Sequence, residues 1–353
     1  VTPLFYNIIT MMFFFQLCDD SDGGKAPRLP LNDGNTIPAM GLGTFLGFNE
    51  NGQKLVMDRE VEDSVTWALD AGYRLIDTAT AYKNDDQVGH AVLKSSVPRE
   101  HVFVVTKLNL NEPRNVVGSL EKALGRLNLT YVDLYLIHNP VSFTPDHSSF
   151  DVVDYLDTWR GMEKVKKLGL ARSIGVSNFN ISQIDRLLVN CEVKPAVLQV
   201  EVNLNLAQDK LLNYCKSKNI VVMAYTPFGS LFETEVAPPP PSPRVNDPTL
   251  KALAAKYRKT VPQIVLRYLV QRGVVPIPKS VKKARIEENI NIFDFELNSE
   301  EMEQLGKFNK DYRVVHPSFW QDHPYYSFER KDKPDPDLFK HGLQTAAPGT
   351  KAN

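Results

Sequence analysis

Arg74-Leu-Ile-Asp77, Val102-Phe-Val-Val-Thr-Lys107 and Val132-Asp-Leu-Tyr-Leu-Ile-His138 are three short, largely apolar runs that each end on a polar or charged residue. Similar runs recur at Ser173-Ser177, Ala196-Glu201, Ile220-Tyr225, Val274-Lys279 and Ile292-Phe295, making eight in all. Short continuous apolar runs suit strands buried on both faces, as in a parallel sheet. Helical periodicities lie between them: Val61, Val65, Ala68 and Leu69 share one face closed by Gly72, and Val117, Leu120, Leu124 and Leu127 share another. Repeated βα units without a glycine-rich dinucleotide fingerprint after the first strand favour a closed barrel over an open doubly wound sheet. The expected fold is α/β, a (β/α)₈ TIM barrel in one domain.

Upstream of the first run, Arg28 to Ile37 places Asp33-Gly34 between two apolar stretches, a hairpin signal read here as a cap over the barrel bottom. Long irregular segments at 139 to 150, at the proline-rich 229 to 248 with Pro238 to Pro241, and from about 310 onward are expected at the C-terminal mouth. Pro238 to Pro241 reads as a stiff loop rather than a partner motif. Trp320, Tyr325 and Tyr326 either line a pocket or anchor the tail. The expected division is an extension over 1–27, the barrel over 28–320 and a tail over 321–353.

Composition narrows the function classes. Forty-one basic and 42 acidic side chains leave a net charge of −1, so no global field attracts nucleic acid or an anionic membrane. Cys18, Cys191 and Cys215 have neither the even number nor the spacing of a disulfide framework or zinc cluster, and a reducing, cytoplasmic setting is the simpler expectation. The apolar stretch Leu4 to Cys18 runs against this, because it resembles a signal h-region and would imply secretion. Yet no Lys or Arg precedes it, no small-x-small cleavage site follows, and its length falls short of the roughly 20 residues of a membrane span. An upstream or vector-derived extension and a structured element are the other readings. Asn128-Leu-Thr130 and Asn180-Ile-Ser182 would be glycosylation acceptors only in a secreted chain.

Asp77, Lys107 and His138 close successive runs, 30 and then 31 positions apart, so one βα unit separates each from the next. In a barrel all three aim at the C-terminal mouth, and Tyr82, five residues after Asp77, is within reach of the same place. Singly, each has a plainer explanation: a helix cap, a solvated strand end, a half-buried aromatic, a core histidine. Together they make a proton-delivery set for a carbonyl. A phenol is a weak acid, with a reference pKa of about 10. The expectation is that the Lys107 ammonium lowers the Tyr82 pKa, Asp77 holds that ammonium, and His138 orients the carbonyl oxygen. No side chain supplies hydride, so a cofactor must. Pro278-Lys-Ser-Val-Lys-Lys-Ala-Arg285 carries four cations from a strand into a helix, which suits a phosphate.

The chain resembles the aldo-keto reductase family over roughly residues 28 to 320. The resemblance rests on Gly41-Leu-Gly-Thr-Phe45, Asp77-Thr-Ala-Thr-Ala-Tyr82, Val105-Thr-Lys107, Asp133-Leu-Tyr-Leu-Ile-His138, Ile174-Gly-Val-Ser-Asn178, Gln199-Val-Glu201, Ala224-Tyr-Thr-Pro227 and Pro276-Ile-Pro-Lys-Ser280. It implies a catalytic tetrad of Asp77, Tyr82, Lys107 and His138. It places Ser177, Asn178 and Gln199 at the nicotinamide carboxamide, and the ring of Tyr225 against the nicotinamide. Lys279, Ser280 and Arg285 would hold the 2′-phosphate of NADP, and Glu288 and Asn289 the adenine, so NADPH is expected over NADH. Thr44, Phe45, Asp77, Thr226 and Phe228 complete the implied cofactor contacts, and Phe45, Tyr82, His138 and Asn139 the substrate contacts. No metal is expected.

Asn139 stands where aldose-reductase-like members commonly carry Trp, and Phe45 where many have Trp or Tyr. A roomier pocket for a bulky ketone follows. The insertion Gly47 to Gly52 and the pair Asn139-Pro140 resemble arthropod members, among them 3-dehydroecdysone reductases of moths, which points to steroid metabolism. The competing readings are a general aldehyde reductase, a non-catalytic cofactor-binding member such as the family's potassium-channel β subunits and ρ-crystallins, and a barrel hydrolase using a metal or paired carboxylates. A small-molecule carbonyl substrate is the one expected partner, with the family's mostly monomeric state as default.

Overall fold

The computed structural model describes residues 22–47, 58–232 and 239–334. The segment Leu4 to Cys18, most of the insertion Gly47 to Gly52, and Pro238 lie outside these residues. A hairpin of β1 (Arg28–Pro30) and β2 (Thr36–Pro38) opens the described chain. Then come β3 (Leu42–Gly43), α1 (Glu60–Asp70), β4 (Leu75–Asp77), α2 (Asp85–Lys94), β5 (Phe103–Leu108), α3 (Val116–Leu127), β6 (Val132–Ile137), α4 (Tyr155–Lys167), β7 (Ala171–Ser177), α5 (Ile181–Asn190) and β8 (Val197–Glu201). The remainder is α6 (Asp209–Ser217), β9 (Val221–Tyr225), α7 (Pro248–Tyr257), α8 (Val261–Gln271), β10 (Val274–Pro276), α9 (Lys283–Asn289) and α10 (Ser299–Gly306). Strands β3 to β10 pair in sequence order, all parallel. A bridge from Gly43 to Lys279 joins the two ends, helped by Gly41 N–H and Gly43 N–H donating to the carbonyls of Pro276 and Pro278, each at 3.1 Å.

Eight parallel strands agree with the sequence expectation, but their membership differs at both ends. The first barrel strand is Leu42–Gly43, not the run at Arg74. Two residues flanked by glycine leave no apolar periodicity to read. Glycine is required at this seam: a Cβ on Gly43 would stand 2.8 Å from the Ile277 carbonyl oxygen. Conversely, Ile292-Phe295 is not a strand. Its neighbourhood packs along α8, whose side chains take up the backbone carbonyls a ladder would otherwise need. Gln263 Nε2 donates to Asn291 O at 3.0 Å, Arg267 Nη1 to Ile292 O at 3.3 Å and Gln271 Nε2 to Leu297 O at 2.9 Å.

Strand alternation sorts the core into two layers. Leu75, Phe103, Val105, Leu134, Leu136, Val197, Met223 and Val275 fill the barrel interior, and Leu31 and Ile37 of the hairpin join them. The hairpin thus plugs one end, where Asn35 Nδ2 donates to Ser173 Oγ at 3.0 Å and Lys166 Nζ to Asp33 Oδ2 at 2.7 Å. The intervening residues Ile76, Val104, Tyr135 and Val176 face outward with Val61, Val65, Leu120 and Leu124 of the helices.

Candidate active site

The same alternation carries the chemistry. Leu75 faces the interior, so Asp77 does too; Phe103 and Val105 are followed inward by Lys107, and Leu134 and Leu136 by His138. Asp77 ends β4, Lys107 is the penultimate residue of β5, and His138 lies one past β6. All therefore stand at the end of the barrel opposite the hairpin.

Lys107 is fully buried, and its Nζ donates to Asp77 Oδ2 at 2.7 Å, to Thr78 O at 2.9 Å and to Tyr82 Oη at 3.4 Å. Gln199, inward-facing on β8, donates to the other Asp77 oxygen at 2.7 Å. Tyr82 closes a short turn, Thr80–Tyr82, and its ring lies 5.0 Å from Phe45 and 5.9 Å, edge-on, from His138. The structure thus brings all four tetrad candidates together. The expected acidity of Tyr82 is not what the geometry produces. Burial, reinforced by the Asp77 carboxylate, pushes the phenol well above its ordinary value, and burial also pulls Lys107 down. A phenol raised in this way keeps its proton at neutral pH, with Lys107 Nζ 3.4 Å from its oxygen.

Along the next strands, Asn178 adopts a left-handed φ of 63°. Its amide nitrogen donates to His138 O at 2.9 Å and Ser177 Oγ at 3.2 Å, while its amide oxygen accepts from Tyr225 Oη at 2.8 Å. Thr44 donates through Oγ1 to Asp77 O at 3.0 Å. Thr226 also has positive φ, and Phe228 is half-buried against Phe232. These polar and aromatic groups line one side of the mouth.

A separate cationic cluster follows β10. Ser280 is buried, Lys279 is largely buried and pulled down by burial and by Arg285, and Arg285 is exposed at the start of α9. Among the described residues no carboxylate pairs with Lys279 or Arg285. The Glu60 carboxylate acts on Lys279 only from beyond ion-pair distance, and two like charges so placed fit an anion such as a phosphate. Asn289 is buried, and Glu288 accepts from Thr260 Oγ1 at 2.8 Å. The described residues hold no group of three His, Cys, Asp or Glu side chains able to bind a metal, and no helix long and apolar enough to cross a membrane.

Asn139 is buried, and its side-chain oxygen accepts from Val141 N at 3.2 Å. The tail is anchored. Trp320 is buried 5.4 Å from Phe143, Tyr325 lies 5.0 Å from Tyr155, and Tyr326 is buried in the same satellite cluster. Sequence reasoning missed the groups that hold these pieces. Glu201, fully buried at the end of β8, accepts from Val314 N and Val315 N, both at 2.8 Å, tying the tail to the barrel. Thr78 and Asn84 brace the Tyr82 turn. The Gln199-Val-Glu201 motif was the available signal for the first; nothing in the sequence separates the Asn84 role from ordinary helix capping.

A profile described as "Aldo/keto reductase family" matches residues 39–310. Aldo-keto reductase AKR2E4 of Bombyx mori is 49% identical over 308 residues, covering 86% of this chain and 98% of that one. Its crystal structure in complex with NADP superposes with a TM-score of 0.80 at 48% identity, covering 86% of this chain and 99% of that one. Another silkworm protein, AKR2E5, crystallised with NADPH, gives a TM-score of 0.85 at 42% identity over 89% of this chain and 98% of its own.

Proposed function

Because this chain belongs to the aldo/keto reductase family, we propose that it reduces a ketone or aldehyde to an alcohol with NADPH, Tyr82 acting as proton donor. The observation that carries this reading is the buried Asp77–Lys107 pair with the Tyr82 hydroxyl 3.4 Å from the ammonium. NADPH supplies the hydride when bound. As negative charge develops on the substrate oxygen, that oxygen becomes far more basic than a phenolate and takes the Tyr82 proton. The phenolate left behind faces the Lys107 ammonium, which Asp77 keeps charged and fixed. His138, edge-on to Tyr82, orients the carbonyl.

Ser177, Asn178, Gln199 and the ring of Tyr225 would hold the nicotinamide end, with Thr44, Phe45, Thr226 and Phe228 beside them. Lys279, Ser280 and Arg285 would hold the 2′-phosphate, and Glu288 and Asn289 the adenine. Crystallisation of the silkworm relatives with NADP or NADPH supports the same cofactor. We extend the proposal to a bulky ketone, such as a 3-dehydroecdysteroid, because the residue after His138 is an asparagine folded onto Val141 rather than a ring walling the mouth.

The test follows oxidation of NADPH with carbonyls ranging from small aromatic aldehydes to 3-ketosteroids, for wild type and Tyr82→Phe. The expected result is loss of turnover in the variant with NADPH binding retained. Unimpaired turnover in the variant would show that the proton comes from elsewhere. Activity confined to small aldehydes would remove the bulky-ketone reading.

A further inference from the structure

Of the three acceptors around Lys107 Nζ, the Tyr82 hydroxyl is the most distant, at 3.4 Å against 2.7 Å and 2.9 Å. The position of the hydroxyl is therefore set less by the ammonium than by the turn that carries it. That turn spans Thr80–Tyr82 and ends in a left-handed Lys83, with φ of 57°.

Two side chains hold the turn from opposite sides. On the barrel side, Asn84 is 1% exposed; its oxygen accepts from Thr78 Oγ1 at 3.0 Å and its nitrogen donates to Thr44 O at 2.9 Å. Asn84 occupies the N-cap position of α2, a place Asn commonly fills by capping, yet it makes no side-chain cap bond there. The side chain instead joins β4 to the loop after β3, where Thr44 N–H and Oγ1 both reach Asp77 O. On the helix side, Arg126 of α3 donates through Nη2 to Thr80 Oγ1 at 3.1 Å and through Nε to Asp85 Oδ2 at 2.9 Å. The Asp85 carboxylate, 1% exposed, begins α2 immediately after the turn.

We propose that Asn84 and Arg126 are positioning residues for proton transfer, clamping the Tyr82 turn from inside and outside the barrel wall. The proposal rests on Tyr82 being the donor. Neither side chain touches the reacting atoms; each acts through the backbone and hydroxyl groups of residues 78 to 85. A displacement of the donor by a fraction of an ångström slows proton transfer without altering how cofactor or substrate bind.

The experiment compares wild type, Asn84→Asp, Arg126→Ala, their double variant and Tyr82→Phe, using the full chain, NADPH and an aromatic aldehyde. Asn84→Asp keeps the size and the acceptor for Thr78 but turns an oxygen toward the Thr44 carbonyl. Its kcat is expected to fall by about 10- to 100-fold, with NADPH Kd and aldehyde KM within about threefold of wild type and a larger solvent deuterium isotope effect on kcat. Arg126→Ala changes a side chain that is 43% exposed, so it keeps the test alive if Asn84→Asp does not fold. A fall in kcat of about three- to tenfold is expected, and the two effects should be non-additive, because both act on one turn. If Tyr82→Phe abolishes turnover while both clamp variants keep kcat within about twofold, or lose kcat only in step with NADPH affinity, the positioning role is wrong. If Tyr82→Phe turns over normally, the donor assignment has failed and the clamp falls with it.

Discussion

Replacing Lys107 by Met would leave the Asp77 carboxylate, 2% exposed, with Gln199 as its one remaining side-chain donor among the described residues, at 2.7 Å. The lost ion pair is 2.7 Å long with both side chains essentially excluded from water, at 0% and 3% exposure. Removing one partner of such a pair costs about 3–5 kcal/mol, because the other charge stays buried without compensation. Against a typical total stability of about 5–15 kcal/mol, that is a large fraction. Adding Asp77→Asn removes the stranded charge, so the double variant should recover about 2 kcal/mol relative to Lys107→Met alone. Catalysis should not recover: both variants lose the cation beside Tyr82, and kcat should fall by about 10²–10⁴-fold in each. Urea denaturation followed by tryptophan fluorescence, alongside steady-state kinetics, separates the two effects. A loss under about 1 kcal/mol for Lys107→Met, or a double variant no more stable than the single, would refute the view of a tightly interdependent buried pair.

Arg285→Glu should weaken NADPH binding at least about tenfold more than NADH binding, since the introduced charge opposes a phosphate that only NADPH carries; equal losses by fluorescence titration would remove Arg285 from the phosphate site. His323 is 0% exposed, with Nε2 facing Ser142 N–H at 3.3 Å and Nδ1 facing Tyr325 N–H at 3.1 Å, and burial pulls it down to about 4 from 6.5. Its folded value lies below its unfolded one, so its contribution is fully present above pH 6.5 and is lost as pH falls toward 4, up to about 3 kcal/mol. Urea midpoints measured across that range should flatten in His323→Gln relative to wild type; parallel curves would contradict this.

The tetrad candidates were readable because alternation along a strand is a local property. Once Leu75, Val105 and Leu136 are placed inside a barrel, Asp77, Lys107 and His138 have one side to point to. Helices were readable for the same reason: Val61, Val65, Ala68 and Leu69 bury as their spacing requires. The hairpin followed from Asp33-Gly34. Where periodicity was absent or misleading, the sequence reading failed. Leu42–Gly43 is too short to show a pattern, and Ile292-Phe295 has a strand's composition but packs along α8.

The amino-acid sequence by itself determined the repeated βα architecture, the residues aimed at the mouth and the cationic stretch after β10, since each depends on spacing within one or two elements. Tertiary structure alone decided how the barrel closes, through Gly43 meeting the Ile277 carbonyl across more than two hundred residues. It decided that the Tyr82 phenol is raised rather than acidified, because burial and the Asp77 carboxylate both disfavour its charged form. It also decided that Glu201 holds the tail and that Asn84 braces a turn rather than capping a helix. Desolvation and hydrogen-bond partnership depend on which distant groups arrive at a side chain, and local spacing carries no record of that.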